Sequence, residues 1–409
     1  MERRFDWQKN LPRIFWLCAV IALTVWALQP GYVVGWDLNV YRAALESLKI
    51  GHDPYSDAMA IQRIYHAQGP HPAGTAVPFS YVYSPMTLPL VAFAGKFPMV
   101  LVGIVYWGIL IAAVAATLFV GWSLVQDSEK RVFALLVPLA VFFPGLLQQD
   151  VIFSGNVAYI LYGAVLLAAW LGWQRGSWWP FYVTVVVASC FKAPLLSLVV
   201  IPVFTARKQW VPAGIASVVG VGLFAMQPHV YPSLFKHYLE AVELQFSFNR
   251  DFSSSPAGLA ANVLFGKVPY QIVSLVAYAL YGIPVFVALL LLRKKFLSGQ
   301  LSIEQLGPVV LLGTILLNPR IMEYDVAPIT IPMALVAWRF FGYGRGVKAA
   351  AIGFAILFAI VNTIAAHPFA DRTWRPVEGL LLLFLFIAGA WTLFRQSDGR
   401  VTGGSAARS

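Results

Sequence analysis

Four short stretches of an otherwise apolar chain carry groups that could do chemistry. Asp37 opens "DLNVYRAALESLKI" directly after a long apolar run. Asn156 ends "FSGN" in a tight connection, and Lys192 stands in "CFKAP" between two apolar half-helices. "NPRIMEYD", residues 318–325, packs Arg320, Glu323 and Asp325 into six residues. A carboxylate can take the proton of an attacking hydroxyl, and a fixed cation can hold an anion such as a lipid phosphate.

Each stretch also has a plainer reading. Asp37 stands where an N-cap would stand, before a helix that starts at Leu38. Gly155 and Asn156 turn the chain and cap the next helix, or Asn156 projects its amide into a sugar-sized site. Lys192 faces a cavity or counter-charge, or snorkels to the interface. Arg320 and Glu323 form an i, i+3 surface pair of small worth, or Arg320 clamps a phosphate beside an orienting carboxylate. Glu323 and Asp325 on one short turn are a weak divalent-ion signal, so neither metal nor cofactor is expected. His52, His66 and His71 share a loop without the spacing of a metal site, and Cys18 and Cys190 lie in apolar runs without partner spacing.

The elements that must position these groups follow from composition. Of 409 residues, 59% are hydrophobic and 11% charged, which implies an all-α polytopic membrane protein forming one membrane domain over 1–409. Apolar runs predict crossings at about residues 13–29, 97–124, 132–147, 156–173, 211–227, 269–292, 305–318, 326–340, 347–366 and 376–394. Residues 84–95 carry Pro85 and Pro89, and 179–204 are interrupted at Lys192; both read as re-entrant or broken helices.

The basic segment before the first run lacks a cleavage site after it, which predicts an uncleaved first span. With both termini cytoplasmic in a cell membrane, Lys and Arg gather inside by two to one, and the acids and histidines gather outside. The net charge of +11 is scattered in short clusters between apolar runs, which argues for topology signals and against nucleic acid. The exterior loop at about 30–83 reads as two surface helices. The loop at 228–268 reads as a surface helix and a Ser-rich mobile lid, with Asn249 and Arg250 as candidate contacts.

In order and spacing along nearly the whole chain, the first-loop acid, "GHDPY", "YVYSP" at 81–85, "SGN" at 154–156, "FKAP" and "NPR…EYD" resemble glycosyltransferase family 87 of the GT-C membrane glycosyltransferases. The resemblance implies a polyprenyl-phosphate-sugar donor, an extracytoplasmic site at the membrane surface, inversion at the sugar carbon, and a lipid or polysaccharide acceptor. It implies that the first-loop aspartate, here Asp37, is the general base, and that the sugar is mannose or another hexose. Some members carry histidine where this chain has "RIMEYD", which moves the expected phosphate contact to Arg320, with Lys192 as a second cation. Tyr55, Tyr81, Tyr83 and Asn156 are expected to line the pocket, with Glu323 and Asp325 as further substrate contacts.

No segment has the length or βαβ pattern of a nucleotide-sugar domain, so the donor must arrive through the bilayer. The alternatives are a transporter or lipid flippase, which calls for repeats and several mid-membrane charges, and a GT-C enzyme with a protein or lipid A acceptor.

Overall fold

The computed structural model describes Leu17 and residues 35–69, 81–130, 152–247, 252–341 and 377–403. Every regular element among them is a helix, as the apolar composition requires of a chain that satisfies its backbone within each segment. The expected crossings at 13–29, 132–147 and 347–366 lie outside the described residues, apart from Leu17.

In chain order, α1 (Trp36–Lys49) and α2 (Pro54–Ala67) are the two helices expected in the first loop. A 3-10 turn over Pro85–Thr87 leads into the short α3 (Leu88–Ala94). Then come α4 (Met99–Ser123), α5 (Val157–Arg175) and α6 (Trp179–Phe191), followed by a 3-10 stretch over Ala193–Val200 and α7 (Ile201–Thr205). The series continues through α8 (Trp210–Val230), α9 (Pro232–Ser247), α10 (Pro256–Val263), α11 (Tyr270–Leu297) and α12 (Ile303–Leu316). It ends in the single-turn α13 (Glu323–Val326), α14 (Thr330–Phe341) and α15 (Val377–Gly403).

Four of these helices, α4, α5, α8 and α11, are long and apolar enough to cross a membrane. Their lengths of 19 to 28 residues match the roughly 20 needed to span about 30 Å of hydrocarbon. α4 exposes Val100, Ile104 and Ile111 on one side, an apolar surface that water would penalise and lipid would not. On its other side α4 meets α5 so closely that a Cβ added at Gly163 would lie 2.7 Å from the Ala113 Cβ, the small-residue packing that membrane helices use. α12 lies at the centre, buried along nearly its whole length.

The interruption at Lys192 is a hairpin. α6 has 13 residues, about 20 Å of rise, too short to cross. The chain leaves helical geometry at Lys192 (φ −133, ψ 99) and returns through the 3-10 stretch and α7, and Tyr182 near the start of α6 donates to the carbonyl of Gln209 just beyond α7. Lys192 therefore sits at the hairpin tip.

α2 and α9 pack together over the 81–88 segment around a separate small core containing Tyr55, Tyr81, Tyr83 and Leu244. Asp53 caps α2 by accepting from the Tyr55 N–H and is paired with His237 of α9. The Ser-rich turn differs from the expected mobile lid. Ser254 N–H donates to the Ile321 carbonyl at 2.7 Å, Ser253 Oγ donates to the same carbonyl at 2.8 Å, and Ile321 N–H donates back to Ser253 Oγ at 2.9 Å. These bonds fasten the turn to the 318–325 loop. Asn249 and Arg250 lie outside the described residues.

Candidate active site

Asp37 does not cap its helix. Gly35 occupies the N-cap with φ +78, a left-handed conformation that glycine adopts at little cost, and α1 begins at Trp36. Asp37 is thus a first-turn residue, the boundary lying two positions earlier than its side chain suggests, where the positive end of the helix dipole favours a carboxylate.

The start of α1 is bound to the connection that precedes α5. Gly35 N–H donates to the Phe153 carbonyl at 2.7 Å, and Asp37 N–H donates to the Ser154 carbonyl at 2.9 Å. Gly155, with φ +72, brings its own backbone up to this junction, so that a Cβ there would meet the Gly35 Cα at 3.7 Å and the Trp107 ring at 3.6 Å.

Asn156 caps α5 and faces Asp37 together. Its Oδ1 accepts from the Ala158 N–H at 2.9 Å, and its Nδ2 donates to Asp37 Oδ2 at 2.5 Å. Lys192 Nζ reaches the same Oδ1 at 3.4 Å from the hairpin tip. Asn156 is therefore the expected cap, and its amide nitrogen meets Asp37, so the capping bond and the bond to Asp37 use opposite ends of one amide. Asp37 and Asn156 are buried, at 8% and 3% exposure.

The "NPRIMEYD" stretch closes the other side. Lys192 Nζ lies 3.5 Å from the centre of the Tyr324 ring and 5.8 Å from that of Tyr83, positions in which the ring faces attract an ammonium. Asp325 is buried and accepts from the Met322 N–H at 2.8 Å. Burial raises its carboxyl above the usual range, against the opposing effects of Lys192, the Met322 N–H, Tyr162 and Arg320. Arg320 is half-buried and lies over the Phe246 ring of α9, 5.6 Å from its centre. The structure thus brings together Asp37, Asn156, Lys192, Tyr83, Asp325 and Arg320 from five separate parts of the chain. The Glu323 side chain lies outside what is described.

The tyrosines divide. Burial, and after it the Asp37 carboxylate, pushes the Tyr83 phenol well above its ordinary range, which places Tyr83 beside the acid. Tyr55 and Tyr81 are fully enclosed, and their hydroxyls are used internally: Tyr55 OH donates to the Tyr83 carbonyl at 2.6 Å, and Tyr81 OH bonds Thr87 Oγ1 at 2.6 Å. They brace Tyr83 from behind. Two contributors were not singled out in the sequence. Tyr324 stood between two acids that drew the attention, and Tyr106, inside an apolar run, donates to the Gly155 carbonyl with no local signal to mark it.

Among the described residues no group of three His, Cys, Asp or Glu side chains is placed to hold a metal ion. Chemically, the arrangement offers one ordered carboxylate near a helix N-terminus, with cations a short distance away across a neutral amide and aromatic faces. Compared with protein-family models, with curated proteins and with solved structures, the chain matches none.

Proposed function

We propose that this chain is an inverting glycosyltransferase of ten membrane crossings, with both termini cytoplasmic, that moves a hexose such as mannose from a polyprenyl-phosphate carrier to a lipid or polysaccharide acceptor at the extracytoplasmic face. The observation that carries this reading is the meeting of Asp37 with Lys192 through Asn156, beside Asp325 and with Arg320 at the rim. The resemblance to glycosyltransferase family 87 adds the donor class and the sugar.

In a single displacement the acceptor hydroxyl attacks the anomeric carbon from the face opposite the phosphate. Its proton passes to Asp37, the glycosidic bond to the carrier breaks, and the carrier leaves as a phosphate anion. General-base help of this kind is worth about 10²- to 10⁴-fold. The leaving phosphate needs charge and not a proton, which Lys192 and Arg320 supply. The hairpin tip suits that task, since a helix broken inside an apolar layer is tolerated where it lines a cavity.

The test is sugar transfer by purified protein in lipid, offered a panel of polyprenyl-phosphate sugars, with Asp37→Asn as the comparison. Transfer that the variant loses while it keeps donor binding supports the reading. Undiminished transfer by Asp37→Asn removes Asp37 as the base, and donor movement across the bilayer without transfer favours the flippase.

A further inference from the structure

We infer that Asn156 is the positioning residue of Asp37, and that the helix cap it forms is the device that aims its amide at the carboxylate. The argument is one of donors and acceptors. An amide has one oxygen that accepts and one nitrogen that donates. Two donors face one end of the Asn156 side chain, the Ala158 N–H at 2.9 Å and Lys192 Nζ at 3.4 Å, and neither can accept a hydrogen bond. The oxygen must therefore lie on that side. The NH₂ group is left facing Asp37 Oδ2, 2.5 Å away, where an ionised carboxylate is an acceptor only.

The amide cannot flip without losing all three bonds. Its backbone is fixed as well, because Asn156 N–H donates to Ser154 Oγ at 3.2 Å while the Ser154 carbonyl holds the Asp37 N–H. Asn156 thus orders the carboxylate and favours its ionised form, the form able to accept a proton. Among the described residues, the groups that face Asp37 from the packed elements include Tyr41 of α1, Tyr83 of the 81–84 segment and Tyr106 of α4, with Lys192 beyond the amide. Of these, Lys192 is the charged group, and the Asn156 amide lies between it and the carboxylate.

The rate arm of the test rests on the transferase reading, and a second arm does not. Purified wild type, Asn156→Ser and Asn156→Thr in lipid nanodiscs are titrated by infrared spectroscopy, following the protonated-carboxyl band that Asp37→Asn removes. Serine and threonine keep a helix cap but lack the reach and the amide donor, and neither adds a charge beside Asp37. The Asp37 band is expected to titrate higher in Asn156→Ser by about one pH unit. The acid limb of the kcat/KM profile moves up with it, and kcat falls by about tenfold while KM for the polyprenyl-phosphate sugar changes little.

An unchanged band and an unchanged acid limb overturn the proposal and leave Asn156 as a cap alone. If Asn156→Ser does not fold, the same upward displacement is read from Asn156→Thr, which also keeps a cap hydroxyl and adds no charge, and its absence there is equally fatal. A wild-type protein that transfers no sugar but shows the infrared displacement upholds the role of Asn156 while the transferase reading fails.

Discussion

Two ends of this helical assembly join acids to cations in opposite ways. At one end Glu129 and Arg339 meet face to face: Arg339 Nε donates to Glu129 Oε1 at 2.9 Å, and a terminal nitrogen donates to Oε2 at 2.8 Å. The remaining guanidinium donors go to the carbonyls of Glu304 and Leu124, so one side chain clamps the ends of α4, α12 and α14 beside a cavity of about 240 Å³. At the other end an amide stands between the Asp37 carboxylate and the Lys192 ammonium. A bidentate pair spends its charges on each other and becomes a staple. An amide bridge transmits position while neutralising neither charge, which is the arrangement a reaction can use.

The comparison predicts a double dissociation. Asp37→Asn should lower kcat for sugar transfer by about 10²- to 10⁴-fold with the melting temperature unchanged. Glu129→Gln should do the reverse, costing about 3 kcal/mol in denaturant unfolding because it leaves a largely buried guanidinium without its acid, while the rate per folded molecule holds. A rate loss in Glu129→Gln equal to that in Asp37→Asn would break the division between the two ends. Replacing both partners, Glu129→Leu with Arg339→Met, should recover part of the stability, since no uncompensated charge remains.

Smaller changes sharpen it. Gly155→Ala and Gly51→Ala each force a left-handed residue to carry a Cβ, at about 1–2 kcal/mol. Only the first also brings that Cβ up to Trp107 and Gly35, whereas Gly51 has nothing within 4 Å. At similar losses of stability, transfer activity should fall in Gly155→Ala, where the strained backbone adjoins Asn156, and hold in Gly51→Ala, where it adjoins no site residue.

The smallest effect concerns Asp325. Because burial raises its carboxyl in the folded state, its stabilising contribution is fully present below the unfolded value of about 3.9 and is lost as pH rises through the higher folded value. Asp325→Asn should flatten that decline in a plot of melting temperature against pH, and at pH 7 be at least as stable as the parent. A variant less stable than the parent at pH 7 would mean that the attraction of Lys192 outweighs desolvation.

Much of this was legible because the chain is so poor in polar residues that each one stands out. The helical class, the two first-loop helices and the break at Lys192 follow from apolar run lengths, Pro194 and the isolated lysine, all local signals. The four stretches were visible as residue types, but their meeting was not, since 119 residues separate Asp37 from Asn156 and no periodicity reports such a distance. The boundary of α1 was misplaced because Asp is a stronger cap signal than Gly, and the left-handed turn at Gly35 follows from its bonds to residues 153–154. Tyr55 and Tyr81 looked like pocket walls because an aromatic side chain reads the same whether its hydroxyl faces a ligand or a carbonyl. The Ser-rich turn looked loose for the same reason: its partner, Ile321, lies 68 residues away.

The wide separation of these parts has a consequence for how the chain is made. A ribosome delivers Asp37 and the Asn156 turn early, the hairpin tip later, and the "NPRIMEYD" loop only after most of the chain has entered the membrane. At about 5–20 residues per second, tens of seconds pass between the first of these and the last. For that interval the nascent protein holds only part of the cluster that Asp37, Asn156, Lys192 and Asp325 form in the finished chain. Premature termination anywhere before residue 318 should yield a fragment that lacks Arg320 and Asp325 and, on the proposed transferase reading, transfers no sugar.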